Sequence, residues 1–207
     1  IQREKSEKFE GAYVKDPIVG LHKWVMSFDL NSLYPHLIMQ YNISPETLVA
    51  DEKVKNMSVE KLLNKEVDTS ILKDATMTPN GALFKTTQKG FLPELMQKMY
   101  DDRVKFKQLM IEAQKDYEKT KDPKLQKTIA KFNNIQMAKK ISLNSAYGAI
   151  GNVWFRYYNL LVAEAITTSG QLAIRYIEHA LNEYLNKILD TRGEDYIIAS
   201  DTDSVYI

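Results

Sequence analysis

The chain has 207 residues, 44% of them hydrophobic and 27% charged, which is enough apolar material for the core of one or two globular domains and excludes a disordered or fibrous polypeptide. It contains no cysteine, so disulfide scaffolds and thiolate-bound metals are excluded, and its histidines, His22, His36 and His179, lack the close spacing of a helical zinc site. Any catalytic metal must therefore take mainly oxygen ligands. No apolar run approaches the ~18 residues of a membrane span and no signal-peptide pattern opens the chain, so a cytoplasmic location and no membrane partner are expected. The start at Ile1 and the apolar run broken off at Ile207 read as a piece of something longer. The net charge is only +1, but Lys98–Lys140 holds 12 basic against 6 acidic residues, while the whole chain carries 28 and 27. That asymmetry fits a polyanionic partner; a solvated helix face is the plainer reading of it in isolation.

In chain order, Trp24 to Asp29 alternates Trp24, Met26 and Phe28 with Val25, Ser27 and Asp29, the period of a strand that ends on Asp29. Asn31 or Ser32 is placed to cap a helix running to about Tyr41, with Pro35 tolerated in its first turn. From 43 to 90 the signals are weak: a short helix near Ser58 to Asn64 and a turn at Thr78-Pro79-Asn80-Gly81, with no chemistry assigned. After Gly90 an apolar stripe of Leu92, Leu95, Met96, Met99, Phe106, Leu109, Met110, Ala113 and Tyr117 predicts a long helix broken near Asp122-Pro123. A second helix carries Leu125, Ile129, Phe132 and Ile135 and ends near Gly148 or Gly151. Joined by a short polar loop, the two should pack antiparallel. A third helix is expected from about Ala163 to Leu189. A hairpin follows, with strands at Tyr196 to Ala199 and Val205 to Ile207 and the carboxylates Asp201 and Asp203 at its tip.

An Asp-Thr-Asp triplet alone is also ordinary turn chemistry, because Asp side chains bond nearby backbone amides. Asp29 adds a third carboxylate, immediately before a helix N-terminus whose amides at Ser32, Leu33 and Tyr34 suit a phosphate. If both strands belong to one sheet, three carboxylates meet an anion site, the combination that two-metal phosphoryl chemistry needs. Lys140, Asn144 and Tyr147 fall at i, i+4 and i+7 on one helix face, offering a cation to phosphate and an aromatic to a base or sugar. Arg103 and Lys107, also i, i+4, are in reach of the same triphosphate, although standing alone they would be a surface stripe. Gly148-Ala149-Ile150-Gly151 matches a G-x-x-G nucleic-acid loop, but its apolar interior at a helix end marks a helix-end turn. No Walker loop, dinucleotide fingerprint or hydrolase triad is present. On the residues alone the metal site is turned toward nucleotides, and a metal-dependent phosphohydrolase or nuclease and a non-catalytic nucleotide-binding or DNA-binding fragment both stand.

Three segments, Ser27-Phe28-Asp29-Leu30-Asn31-Ser32-Leu33-Tyr34-Pro35, Lys140-Ile141-Ser142-Leu143-Asn144-Ser145-Ala146-Tyr147-Gly148 and Ser200-Asp201-Thr202-Asp203-Ser204, resemble motifs A, B and C of family B DNA polymerases in order and in residue type. Gly151 to Tyr158 and Ala165 to Gln171 are closest in kind to the replicative polymerases of tailed bacteriophages, which would place the protein in an infected bacterial host. The resemblance implies an α+β fold: an antiparallel-sheet palm at 1–92 and 151–207 with packed helices, and a two-helix antiparallel fingers subdomain at 93–150. It implies that Asp29 and Asp203, with Asp201 beside them and the Leu30 carbonyl, hold two Mg²⁺ ions, for which Mn²⁺ can substitute. Tyr34 would act as a steric gate against a 2′-hydroxyl. Arg103, Lys107 and Lys140 would meet the triphosphate, Lys140 also donating a proton to the leaving group, and Asn144 and Tyr147 the nascent base pair. The implied partners are primer-template DNA, a deoxynucleoside triphosphate, thumb and exonuclease regions in cis or on a second chain, and a sliding clamp.

Overall fold

The computed structural model describes residues 11–49, 53–70 and 72–207. Ile1 and the rest of the first ten residues of the expected first palm segment lie outside these, as do 50–52 and 71 of the weakly read stretch. The fold is α+β, with five helices and two small antiparallel sheets among the described residues. No helix among them is long and apolar enough to cross a membrane.

The main sheet collects strands from both ends of the chain. β1 (Val14–Lys15), β5 (Ala199–Asp201), β6 (Ser204–Tyr206) and β2 (Ser27–Asp29) lie in the order β1-β5-β6-β2, all antiparallel. Asp29 and Asp201 both pair with Ser204, so the sheet register alone puts them on one face. The opposite face carries Val205, which packs with Ile174 and Ile197 into one of the two apolar clusters.

Two strand expectations are corrected. The alternating run Trp24 to Asp29 forms a strand only at Ser27–Asp29: Trp24 has a φ of 63°, is 95% exposed, and Met26 and Phe28 are about half exposed, because β2 is an edge strand with little to cover it. In the hairpin, Asp201 closes strand β5 and only Thr202 and Asp203 form the turn. The ladder runs further than the apolar run Tyr196 to Ala199 suggests, because Ser200 turns inward and donates to the buried carboxylate of Glu178.

α1 (Leu33–Gln40) follows β2 directly, and Asn42 joins its end to the next elements by donating to the carbonyls of Lys85 and Gln88 while accepting from the Gly90 amide. The weakly read stretch holds α2 (Val59–Leu63), capped by Ser58, and the hairpin β3 (Ala75–Met77) and β4 (Leu83–Lys85) around the expected turn, where Gly81 has a φ of 86°. α3 (Phe91–Thr120) and α4 (Pro123–Ile150) pack as the expected antiparallel pair. Asp122 caps α4 through the Lys124 amide, Pro123 takes its first position, and Phe106 meets Phe132 at 6.1 Å between ring centroids. Only the base of the pair enters the core, through Leu92, Met96, Leu143 and Ile150; further out, most of its apolar residues are half buried against each other.

α5 (Leu160–Ile188) runs under both halves of the structure. Asn159 caps it by accepting from the Val162 amide. Its middle, Ala165 to Gln171, is an unbroken buried run of mainly small residues, and small side chains let neighbours approach closely.

Candidate active site

A cleft of about 390 Å³ lies where β2 runs into α1, where β5 turns into β6, and where the bases of α3 and α4 converge. It is lined by Asp29, Asn31, Ser32, Leu33, Tyr34, Pro35 and Arg103, with Lys140, Asn144, Thr202 and Asp203. All three sequence motifs thus meet in one cavity.

The acidic side is fixed by backbone. The Leu30 amide donates to the Asp203 carbonyl at 2.7 Å, tying the end of β2 to the hairpin turn. Thr202 occupies left-handed space at φ 55°, which for a β-branched residue costs on the order of 1–3 kcal/mol. Its amide bond to the Tyr13 carbonyl at 3.0 Å and its hydroxyl bond to Asp201 Oδ1 at 2.8 Å hold it there. Burial, then the charge of Asp29 and that of Asp201, push the Asp203 carboxyl above its ordinary range, although a backbone hydrogen bond opposes them. A carboxyl whose proton affinity is raised by burial and by neighbouring negative charge is one that a bound cation would relieve. Among the described residues no three carboxylate or imidazole groups cluster tightly enough to hold an ion by themselves.

The basic side is carried by long side chains. Arg103 Nη1 donates to Ser32 Oγ at 3.0 Å, and Ser32 Oγ donates to Asn31 Oδ1 at 3.2 Å. Asn31 also donates to the Tyr100 hydroxyl at 3.3 Å. Ser32 stands at the N-cap position of α1, yet its φ of 55° turns it left-handed and its side chain caps nothing. The expected Ser32 cap is therefore corrected: its hydroxyl serves Arg103, and Asn31 serves Tyr100. Arg103 lines the cleft, and its Nε is buried without a hydrogen-bond partner. An anion placed there would satisfy it.

Tyr34 projects between the two sides. Its ring lies 4.9 Å from that of Tyr147, centroid to centroid. Burial, then Tyr147, Asp203 and Asp201, push its hydroxyl up to about 12. The hydroxyl therefore stays protonated at neutral pH. Tyr147 does not line the cleft itself but backs Tyr34, and burial raises its own hydroxyl.

The remaining expected residues are placed less directly. Asp201 does not line the cleft, although its charge reaches Tyr34 and Asp203. Leu30 packs at the edge of the cluster beneath the sheet. Lys107 lies one turn beyond Arg103, in an adjoining cavity of about 420 Å³ along α3 that shares Asn31 and Arg103 with the cleft. Asn31, read from sequence only as a candidate helix cap, and Pro35 and Thr202 line the cleft without having been assigned to the site; their place inside the matched motifs was the available signal. Gly170 on α5 stands in the stretch Ala165 to Gln171 that carries the resemblance but was given no role from sequence. A Cβ there would stand 2.7 Å from Tyr34 Cε1.

Comparison with known proteins shows the family. The sequence model of DNA polymerase family B matches residues 1–207, and the chain belongs to that family. It is 35% identical to the DNA-directed DNA polymerase of Escherichia phage RB69 and aligns over 97% of its own length and 26% of that protein's. The corresponding enzyme of Enterobacteria phage T4 is 34% identical, over 97% of the chain and 27% of the relative. DNA polymerase 1 of Pyrococcus abyssi (strain GE5 / Orsay) is 32% identical over 99% of the chain and 22% of the relative. The chain thus spans about a quarter of the length of the relatives it matches.

Proposed function

We propose that this chain carries the nucleotidyl-transfer centre of a template-directed DNA polymerase, adding a deoxynucleotide from its triphosphate to a primer 3′-hydroxyl. The observation that carries the reading is the single cleft in which Asp29 and Asp203 face Arg103, Lys140 and Asn144. In this reading the sheet and the helices around it are the palm, residues 1–92 and 151–207, and α3 with α4 is the fingers, 93–150.

Asp29 and Asp203, with Asp201 and the Leu30 carbonyl beside them, are the residues that would hold two Mg²⁺ ions. Bound there, the metal supplies charge neutralisation for the attacking and leaving oxygens. The protein groups do the positioning. Arg103, anchored on Ser32, presents its guanidinium to the triphosphate, and the first-turn amides of α1 serve the same phosphates. Lys107, in the adjoining cavity, meets the outer end of the phosphate chain. Lys140 reaches the phosphates from α4 and hands a proton to the departing pyrophosphate. Asn144 lies one turn on, beside the nascent base pair, and Tyr147 supports Tyr34 beneath the sugar. Tyr34 excludes a 2′-hydroxyl by bulk. Primer-template DNA and a deoxynucleoside triphosphate are the partners this chemistry requires; thumb and exonuclease regions and a sliding clamp belong to the same reading of the longer enzyme.

The test is primer extension on a defined template by the intact polypeptide that contains this region, with and without Mg²⁺. Templated, Mg²⁺-dependent addition is expected, together with ribonucleotide incorporation that rises on Tyr34→Val. Nucleotide release from DNA without templated addition would instead establish a nuclease.

A further inference from the structure

Glycine in a helix interior is about 0.5–1 kcal/mol worse than alanine, so a buried one needs a reason. Gly170 sits in the middle of α5, buried, with an ordinary φ, so backbone conformation does not demand it. Space does. A Cβ at this position would meet Tyr34 Cε1 at 2.7 Å, Tyr34 Cδ1 at 3.5 Å and Leu33 Cδ2 at 3.7 Å. All three are side-chain atoms of the segment that lines the cleft. The contrast with Gly81 is informative: there a Cβ would meet backbone, with the Val54 carbonyl oxygen at 2.5 Å, so that glycine serves the close approach of two chain segments. At Gly170 the neighbour that forbids a side chain is the ring of Tyr34.

That ring has Gly170 of α5 on one side and the Tyr147 ring on another, 4.9 Å away. Its open side is the cleft. An alanine methyl would have to push the contact from 2.7 Å to the ordinary 3.4–4 Å, and the cleft is the open space beside the ring. We propose that Gly170 is a specificity-determining residue: by withholding a side chain it sets how deeply the Tyr34 ring seats, and so how much room is left for the sugar of the incoming nucleotide. The proposal rests on Tyr34 facing that sugar, as argued above, and makes Gly170 a positioning residue that touches no substrate.

The experiment is single-nucleotide incorporation by the intact polymerase with a deoxynucleotide and its matching ribonucleotide, for wild type, Gly170→Ala, Tyr34→Ala and the double variant. Gly170→Ala is expected to raise KM for the deoxynucleotide roughly tenfold or more, since displacements near 1 Å at a substrate contact cost up to ~10²-fold, while kcat changes less. Ribonucleotide incorporation should fall further still, so that sugar discrimination rises. In the double variant the methyl occupies space vacated by the ring, so its kinetics should match Tyr34→Ala within about twofold, the non-additivity of residues in contact. Its melting temperature should exceed that of Tyr34→Ala, because alanine is the better helix former. If Gly170→Ala alone does not fold, a folded double variant with the kinetics of Tyr34→Ala supports the proposal, and an unfolded one overturns it. Unchanged KM and discrimination in Gly170→Ala, beside a Tyr34→Ala that has lost discrimination, overturn this proposal alone. Unchanged discrimination in Tyr34→Ala removes the gate reading and this proposal together.

Discussion

The two walls of the cleft are built by different means. The acidic wall is placed by backbone: sheet register puts Asp29 and Asp201 opposite the same residue, Ser204, and the bond from the Leu30 amide to the Asp203 carbonyl holds the turn against the strand end. The basic wall is placed by reach: Arg103 and Lys140 extend from two long helices whose outer lengths pack mainly on each other. Like charges held close are costly, so they need rigid support, and the sheet supplies it. On the proposed function these cations meet and release a triphosphate, which suits elements with room to move.

That contrast is broken most severely at the acidic wall. Asp29→Ala or Asp203→Ala in the intact polymerase should lower single-turnover incorporation about 10³-fold or more, because several kcal/mol of metal-borne charge stabilisation are lost at ~1.4 kcal/mol per decade. Arg103→Ala should act chiefly on binding, raising KM for the triphosphate about 10- to 100-fold, the range for a charge-assisted hydrogen bond. Lys107→Ala, in the adjoining cavity, should raise it within about fivefold, as expected for a more solvated charge. The smallest effect belongs to the outer surface of the helix pair. Lys139 and Asp102 form a partly buried ion pair at 2.7 Å that lowers the Asp102 carboxyl, and Asp102→Ala should leave incorporation unchanged and move the melting temperature by only a few degrees, on the order of 1–3 °C.

The sequence made the basic wall's scaffold and the identity of the charged residues readable, for local reasons. The α3–α4 hairpin follows from apolar period and from Asp122-Pro123, a cap and a first-position proline standing side by side. The aspartates were legible because each stands at the end of a short apolar run. What was hidden depends on long-range pairing. β1 is only Val14–Lys15, too short to carry a period, and exists because β5 offers it an edge. β3 and β4 are three residues each, so only their glycine turn announced them. Ser32 has the chemistry of a cap, but Arg103, far along the chain, takes its hydroxyl. Asp201 moved from turn to strand because buried Glu178 accepts from Ser200 behind it. Gly170 against Tyr34 could not be read from either segment alone.

Stability tests the contrast most directly. Asp203 is pushed up in the folded state by burial and by Asp29, so folding favours its protonated form. The stability this contributes is present below the unfolded carboxylate range, near ~3.9, and is lost as pH rises through the raised value. At neutral pH the metal-free protein therefore carries the cost of the charged form, and Asn, neutral at every pH, does not. The decisive measurement is the melting temperature of the intact polymerase and its Asp203→Asn variant at pH 7, each with chelator and with Mg²⁺. The metal-free variant should melt higher than metal-free wild type, and Mg²⁺ should stabilise wild type while leaving the variant nearly unmoved. A variant that melts no higher than wild type without metal, and gains as much from Mg²⁺, would contradict a metal-binding acidic wall at Asp29 and Asp203.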